Sequence, residues 1–452
     1  SCSVPLKINI MTKASKWGLT VLLMLLMAAC SSEMPLPGDP DANSVVAPRN
    51  LLPLQQVPQR IGAMWASLPR QTLTRAGDEP VVDSVFSVPV GDFLATYDAS
   101  TNTWVENPEI EQIDTISTYG YAVTFQNQSG YVIVSAQEGL PDLLFYTEDG
   151  NYADAVRESH HDPGNPGGVG SGQGSESGFT VFMDVMTAWA AQRVSEDPTD
   201  PNITGGGNKV VYGAWQNTVN ADRPLPVSWG QQDPFNRYCY DQKGNKAMAG
   251  CVAVALAQVM ALYRFPESYN GYTFNWPAME MVSNVSGFEW GKEDVARLMK
   301  YLGNADNLQA IYGPKLSTSQ PDRICPTLVN FGYASTCVME PFAFSELKAE
   351  IDAGHPVIVC GYTKKNVGHA WVADGYFIRS RELKYAGDRT EEERYEYVHC
   401  NWGNNGSGNG YALATVFDPR QTFRFPGEEN EQTVSKESYC HKTKIVTGIR
   451  PQ

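Results

Sequence analysis

A run of helix formers and apolar residues, Ala247-Met-Ala-Gly-Cys251-Val-Ala-Val-Ala-Leu-Ala-Gln-Val-Met-Ala-Leu-Tyr263, carries a thiol on its first turn and is closed by Arg264-Phe265-Pro266. Gly250 supplies a backbone turn in front of it. At a helix start the unpaired amides and the positive end of the dipole favour thiolate over thiol, the form a nucleophilic cysteine needs near neutral pH. A structural cysteine filling core space at a helix start reads the same way, so the assignment depends on what else the chain supplies.

Two further elements supply it. Asn366-Val-Gly-His369-Ala-Trp-Val-Ala-Asp-Gly375 follows Gly354-His355-Pro356-Val-Ile-Val-Cys-Gly361, and both read as short buried strands bounded by glycine. A histidine on such a strand is held rigidly, as a general base within reach of a thiol must be. Asn401 is the candidate for the group that fixes the imidazole, because a carboxamide orients a thiolate–imidazolium pair without adding charge. Trp402 beside it would shield that hydrogen bond from water. His355, next to a proline, and His399, two residues before Asn401, rank behind His369. The order Cys, His, Asn-Trp is that of a papain-like thiol protease.

Composition narrows the alternatives. The formal net charge is −16 and the pI about 4.9, so the surface repels phosphate backbones, and no Gly-rich phosphate motif offsets that. At 452 residues the chain exceeds the usual single domain. From Met11, Lys13 and Lys16 precede the apolar run Leu19–Met27 and then Ala28-Ala29-Cys30, the three parts of a bacterial export signal. The apolar run is too short to span a bilayer. Cysteine after two alanines resembles a lipobox, which predicts lipidation of Cys30.

The expected organisation is upstream residues and signal over 1–29, a flexible proline-rich tether over 30–73, a small strand-rich domain over 74–195, a turn-rich processing linker over 196–226 and a catalytic domain over 227–452. His160-His161-Asp162 lacks further ligands at suitable spacing, so no metal site is expected. Setting aside Cys251, the cysteines Cys239, Cys325, Cys337, Cys360, Cys400 and Cys440 allow up to three disulfides in an oxidising compartment. Cys360 and Cys400 lie in apolar strand text and also suit buried thiols. No C-x-x-C spacing occurs, which leaves a zinc ribbon or redox motif unsupported.

Beyond the triad, Ser228-Trp-Gly-Gln-Gln-Asp-Pro-Phe-Asn236, Gly250-Cys251-Val-Ala, Tyr312-Gly-Pro314, Asn330-Phe-Gly-Tyr333, Gly368-His369-Ala, Asn401-Trp-Gly403 and Ile445-Val-Thr-Gly-Ile-Arg-Pro451 together resemble streptopain and its bacterial relatives. Upstream, Tyr119-Gly-Tyr-Ala-Val-Thr-Phe125 and Gly130-Tyr-Val-Ile-Val-Ser135 look like the two-strand signature of the family's propeptide. The resemblance implies an α+β, two-lobed papain-like catalytic domain behind a small α+β propeptide. It implies an exported cysteine endopeptidase made as a zymogen, acting on protein or peptide substrates without a cofactor, with its propeptide as intramolecular inhibitor. The location expected is the cell envelope, as an outer-membrane or surface lipoprotein anchored through Cys30, the mature peptidase being retained or released. Gln231 is the candidate side chain for an oxyanion hole, and Gly368 and Thr318 would border substrate subsites.

The chain departs from the pattern twice. Asn404 and Asn405 stand where the family usually has a second tryptophan, which predicts a more polar, open cleft wall. The charged insertion Arg379–Glu396 reads as a solvated hairpin with Gly387-Asp388 near its tip and no further role. Two other functions stay open on the same residues: acyl transfer to an amine, as in transglutaminases and deamidases, and a non-catalytic binding lipoprotein.

Overall fold

The computed structural model describes residues 51–65, 67–69, 81–159, 178–195, 211–418 and 443–452, less short gaps at 90, 111, 115–117, 138–139, 223–224, 363–367 and 386–388. The signal, Cys30, His160-His161-Asp162, Lys209-Val210, the hairpin tip and Cys440 lie outside these residues.

Among the described residues the N-terminal part is built on six strands: β1 (Val82–Val88), β2 (Phe93–Asp98), β3 (Thr103–Glu106), β4 (Gly120–Phe125), β5 (Tyr131–Ser135) and β6 (Leu143–Thr147). They pair antiparallel in the order β6-β5-β4-β1-β2-β3. The helices α1 (Val57–Trp65), α2 (Tyr152–Ser159) and α3 (Gly178–Ser195) accompany them. The first of these helices corrects the reading of 30–73 as a tether throughout. Pro58 sits in the first turn of α1, where a missing amide costs nothing, and Val57, Ile61 and Met64 are buried in the core of this domain.

The C-terminal part has a helical and a strand lobe. In the helical lobe α4 (Cys251–Tyr263) starts from Gly250, whose φ of 94° suits glycine, and ends on Arg264 in the left-handed region. Every residue from Val252 to Ala261 is buried. Around α4 lie the hairpin β9 (Ser268–Tyr269) and β10 (Tyr272–Thr273), and the helices α5 (Trp276–Glu280), α6 (Glu289–Gly303) and α7 (Ile324–Asn330). Cys325 and Cys337 form a disulfide, while Cys239, Cys251, Cys360 and Cys400 are free.

In the strand lobe β11 (Val338–Pro341), β12 (Val357–Tyr362), β13 (Gly368–Lys384), β14 (Thr390–Asn401), β15 (Gly410–Leu413) and β16 (Lys444–Thr447) form a sheet in the order β11-β16-β12-β13-β14-β15. The helix α8 (Phe344–Asp352) packs on it. Strand alternation divides the buried side chains between two cores. Ile358, Cys360, Ala370 and Val372 join α4, whereas Val357, Val359, Trp371 and Ala373 join the core that contains α3. The sheet does not stop at the domain boundary: β15 pairs with β6, so the strands of both parts form one sheet.

Two expectations about connecting segments change. Within the proposed linker, β7 (Val211–Tyr212) and β8 (Gln216–Asp222) pair with β13. The charged insertion does form a hairpin, in the register Lys384↔Thr390, but it is not a bare solvated decoration. Arg379 within it is fully buried and forms an ion pair with Asp142 of the N-terminal domain at 3.3 Å. Both Arg379 and Arg381 stack on Trp215, just before β8, with guanidinium carbons 4.0 and 4.3 Å from its ring centroid. Charge density alone suggested solvent; pairing with segments distant in sequence turned one side of the hairpin inward.

Candidate active site

Cys251 stands at the first turn of α4, and β13 brings His369 to it across the boundary between the lobes. Both border a cleft of about 290 Å³ lined by Leu316, Ser317, Thr318, Ser319, Tyr362 and Gly368, with Cys360 also on its wall. Ser317 braces the loop before the thiol. Its Oγ donates to Met248 O at 2.7 Å and accepts from Gly313 N at 3.1 Å. Gly368 is constrained by Tyr362, whose ring carbon Cε1 would stand 2.9 Å from any β-carbon there.

The electrostatics single out one thiol. For Cys251 burial opposes the charged form, but the charge of His369, a hydrogen bond with its imidazole, and the backbone amides of Ala370 and Val252 outweigh it, so its pKa is lowered. The other free thiols go the opposite way. Burial, reinforced by the charge of Cys251, pushes Cys360 up to about 12. Burial likewise raises Cys239 and holds Cys400 far above the usual range. Cys360 and Cys400 are therefore buried thiols whose surroundings oppose ionisation.

His369 is buried, and its Nε2 lies 2.9 Å from Trp402 O. A carbonyl oxygen only accepts, so Nε2 carries hydrogen and Nδ1 is the nitrogen left for proton exchange with the thiol. Asn401 is adjacent and buried. Its Nδ2 donates to Val227 O at 3.1 Å and its Oδ1 accepts from Gly403 N at 3.2 Å. In this state, then, the backbone carbonyl of Trp402 holds the imidazole, and the Asn401 carboxamide ties together the loops on either side. Trp402 is fully buried; its ring packs on Trp371, at 5.3 Å between centroids, and on Phe179 and Phe182 of α3.

The remaining candidates fall around this pair. Gln231 is buried, and its backbone oxygen accepts from Ala249 N at 2.9 Å, which places the Trp229-Gly-Gln segment beside the loop leading to Cys251. Gln258, two turns along α4 from the thiol, was missed by sequence reasoning. Its Oε1 accepts from Trp229 N at 2.9 Å and fixes that same segment; a glutamine in an otherwise apolar helix was the available signal. His399 pairs with Asp374 at 2.5 Å, and His355 Nδ1 with Tyr263 Oη at 2.9 Å, so both rival histidines have partners away from the thiol. Asn404 and Asn405 are not among the residues lining the 290 Å³ cleft at Cys251. They line a separate polar hollow of about 440 Å³ with Gln128, Asp149 and Asn151 of the N-terminal domain, because the turn after Gly403 carries them past Gly230, whose added β-carbon would lie 2.5 Å from Asn405 Oδ1.

The N-terminal domain reaches the site through the start of α3. A β-carbon at Gly178 would lie 2.4 Å from Trp402 Cε3 and 2.9 Å from His369 Cδ2. Only glycine fits between helix, indole and imidazole. Among the described residues there is no cluster of three or more His, Cys, Asp or Glu suited to a metal, and no helix long and apolar enough to cross a membrane.

Residues 229–412 match the model of the peptidase C10 family. The chain is 25% identical over 334 residues to streptopain of Streptococcus pyogenes, a match covering 64% of this chain and 72% of streptopain. It is 22% identical over 356 residues to the thiol protease/hemagglutinin PrtT of Porphyromonas gingivalis, covering 72% of this chain but 36% of that longer protein. Among solved structures it is similar to a prointerpain A fragment of Prevotella intermedia, at 19% identity and a TM-score of 0.49, over 76% of this chain and 98% of that one. Over residues 229–412 the chain thus carries the peptidase C10 pattern, and it is similar to the cysteine peptidase streptopain.

Proposed function

We propose that this chain is the latent precursor of an exported cysteine endopeptidase, with Cys251 as nucleophile and His369 as its base. The observation that carries the reading is the contrast among thiols: of the four described free cysteines, the one whose pKa is lowered is the one paired with a histidine in a cleft. In the reaction the Cys251 thiolate attacks the scissile carbonyl. His369 holds the proton and passes it to the leaving amine, and water then releases the acyl group. The Cys251 backbone amide faces the developing oxyanion, with the side chain of Gln231 as second donor.

Latency in this proposal comes from α3. Its first residue presses on Trp402 and His369, while Nε2 of that imidazole is held by Trp402 O. Removing the helix frees Trp402 to relax and lets Asn401 take over the orienting bond. Since residues 211–222 are tied into β13, the cut belongs in 196–210. Export and a lipid anchor on Cys30 complete the reading, supported by Lys13, Lys16, Leu19–Met27 and Ala28-Ala29-Cys30.

The test is incubation of the purified chain with casein, following new amino termini and the size of the chain itself. Conversion to a shorter form with casein cleavage, both lost in Cys251→Ala, is the expected result. Amine incorporation into casein in place of hydrolysis would turn the assignment to acyl transfer, and neither activity in the converted form would leave a binding protein. For the anchor, Cys30→Ser should move the protein out of the membrane fraction; an unmodified mature terminus by mass spectrometry overturns lipidation.

A further inference from the structure

The departure of the N-terminal domain, on which this inference rests, would uncover a surface distinct from the Cys251 cleft. The segment Asp142–Tyr146 lies on the catalytic domain as an extended peptide. Its strand β6 adds to β15 in the register Phe145↔Ala412 and Tyr146↔Tyr411, and the two tyrosine rings of the second pair stack at 6.4 Å. Tyr397 Oη donates to Leu143 O at 2.9 Å. At the head of the segment Arg379 Nη2 donates to Asp142 Oδ2 at 3.3 Å. Backbone pairing, a carbonyl contact and a carboxylate contact are the elements of strand addition with side-chain selectivity.

The carboxylate contact is incompletely used. Arg379 is fully buried, yet its Nε and Nη1 and the Asp142 Oδ1 find no hydrogen-bond partner, and Trp215 packs over the guanidinium at 4.0 Å. With β6 gone Arg379, stacked on Trp215, loses its ion-pair partner Asp142, and an edge strand deprived of its neighbour exposes unpaired amides and carbonyls. Both deficits arise together if β6 leaves, and one ligand chemistry answers both.

We propose that in the processed enzyme β15, Tyr397 and Arg379 form an exosite for an extended segment of a protein substrate in which a carboxylate leads an apolar, aromatic run. The site begins beside the catalytic residues, since Cys400 pairs with Gly410. Arg379 stands ten residues along β13 from His369, about 30 Å at strand rise. A short peptide seated at Cys251 does not reach it, which makes the occupant a protein chain.

The probe is a labelled peptide with the sequence of residues 138–149. The protein is the Cys251→Ala full chain carrying a site for an added protease within 196–209, cut and freed of its N-terminal part, so that the slot is tested whether or not the wild type processes itself. Failure of the cysteine-peptidase reading is seen separately, in casein cleavage by the wild type. The cut protein should bind the peptide, the uncut chain should not, and Asp142→Asn in the peptide should weaken binding roughly tenfold, the scale of one charge-assisted bond. In Arg379→Gln the two peptides should bind alike. Equal affinity of the cut wild-type surface for both peptides, equal binding by cut and uncut chains, or no binding at all overturns the proposal.

Discussion

Gly178 and His369 lie so close that a single added β-carbon would stand 2.9 Å from the imidazole Cδ2. A helix start pressed against the base by its smallest residue is a contact that one methyl group can test. In the uncut chain, Gly178→Ala should push α3 outward and raise alkylation of Cys251 by a thiolate-directed epoxide about tenfold, at a stability cost of roughly 1–3 kcal/mol from overpacking. An unchanged alkylation rate would show that α3 does not restrain the pair.

Removing the nucleophile should abolish cleavage with the fold intact, since alanine suits the first turn of α4. His369→Ala should cost about as much as Cys251→Ala, because the two act as one unit. Asn401→Ala should be milder. Steady-state kinetics on one peptide substrate ranks the three, and a greater loss in Asn401→Ala than in His369→Ala would reverse their roles.

The reactive limb of Cys251 should lie at unusually low pH. Only thiolate alkylates, and with its pKa lowered below the ordinary 9.0 the charged form persists as the pH falls, so the rate should be half-maximal below pH 9.0. His369→Ala removes the charge and the hydrogen bond that oppose burial, and the midpoint should move up. Peptide-mapped labelling across pH should show Cys360, pushed up to about 12, unlabelled throughout.

The Cys325–Cys337 bridge closes a short loop, with a sequence separation of 12. Replacing both cysteines by serine should lower unfolding free energy by about 3 kcal/mol, measured by denaturant titration. Since neither residue borders the cleft, peptide hydrolysis at 25 °C should persist; its loss in a folded variant would tie the bridge to the site.

The parts of this structure that could be read from the sequence are those written within one element. The thiol at the start of an apolar run, a histidine on a glycine-bounded strand and the asparagine after them each carry a local pattern. What could not be read depends on partners far along the chain. Arg379 meets Asp142 across 237 residues, and nothing near either residue announces it. Residues 211–222 look like linker because their hydrogen bonds go to β13. The helix at Val57–Trp65 was hidden by prolines, whose number suggested irregular chain although Pro58 occupies the one turn that tolerates it. The indole of Trp402 points to a shield; that its carbonyl holds His369 is a matter of backbone placement, to which side-chain type gives no clue.

Under the processing proposed above, the shared sheet would make activation a two-step event, a cut followed by release of β6 from β15. While the chain is whole, β6 meets β15 at the high effective concentration of a tethered partner. A cut in the connection leaves every one of those contacts in place and changes only whether the fragment, once it lets go, returns. Dilution should therefore raise the fraction of cut protein that is active, and concentrating the cut protein should lower it, while the rate at which the fragment first lets go stays the same.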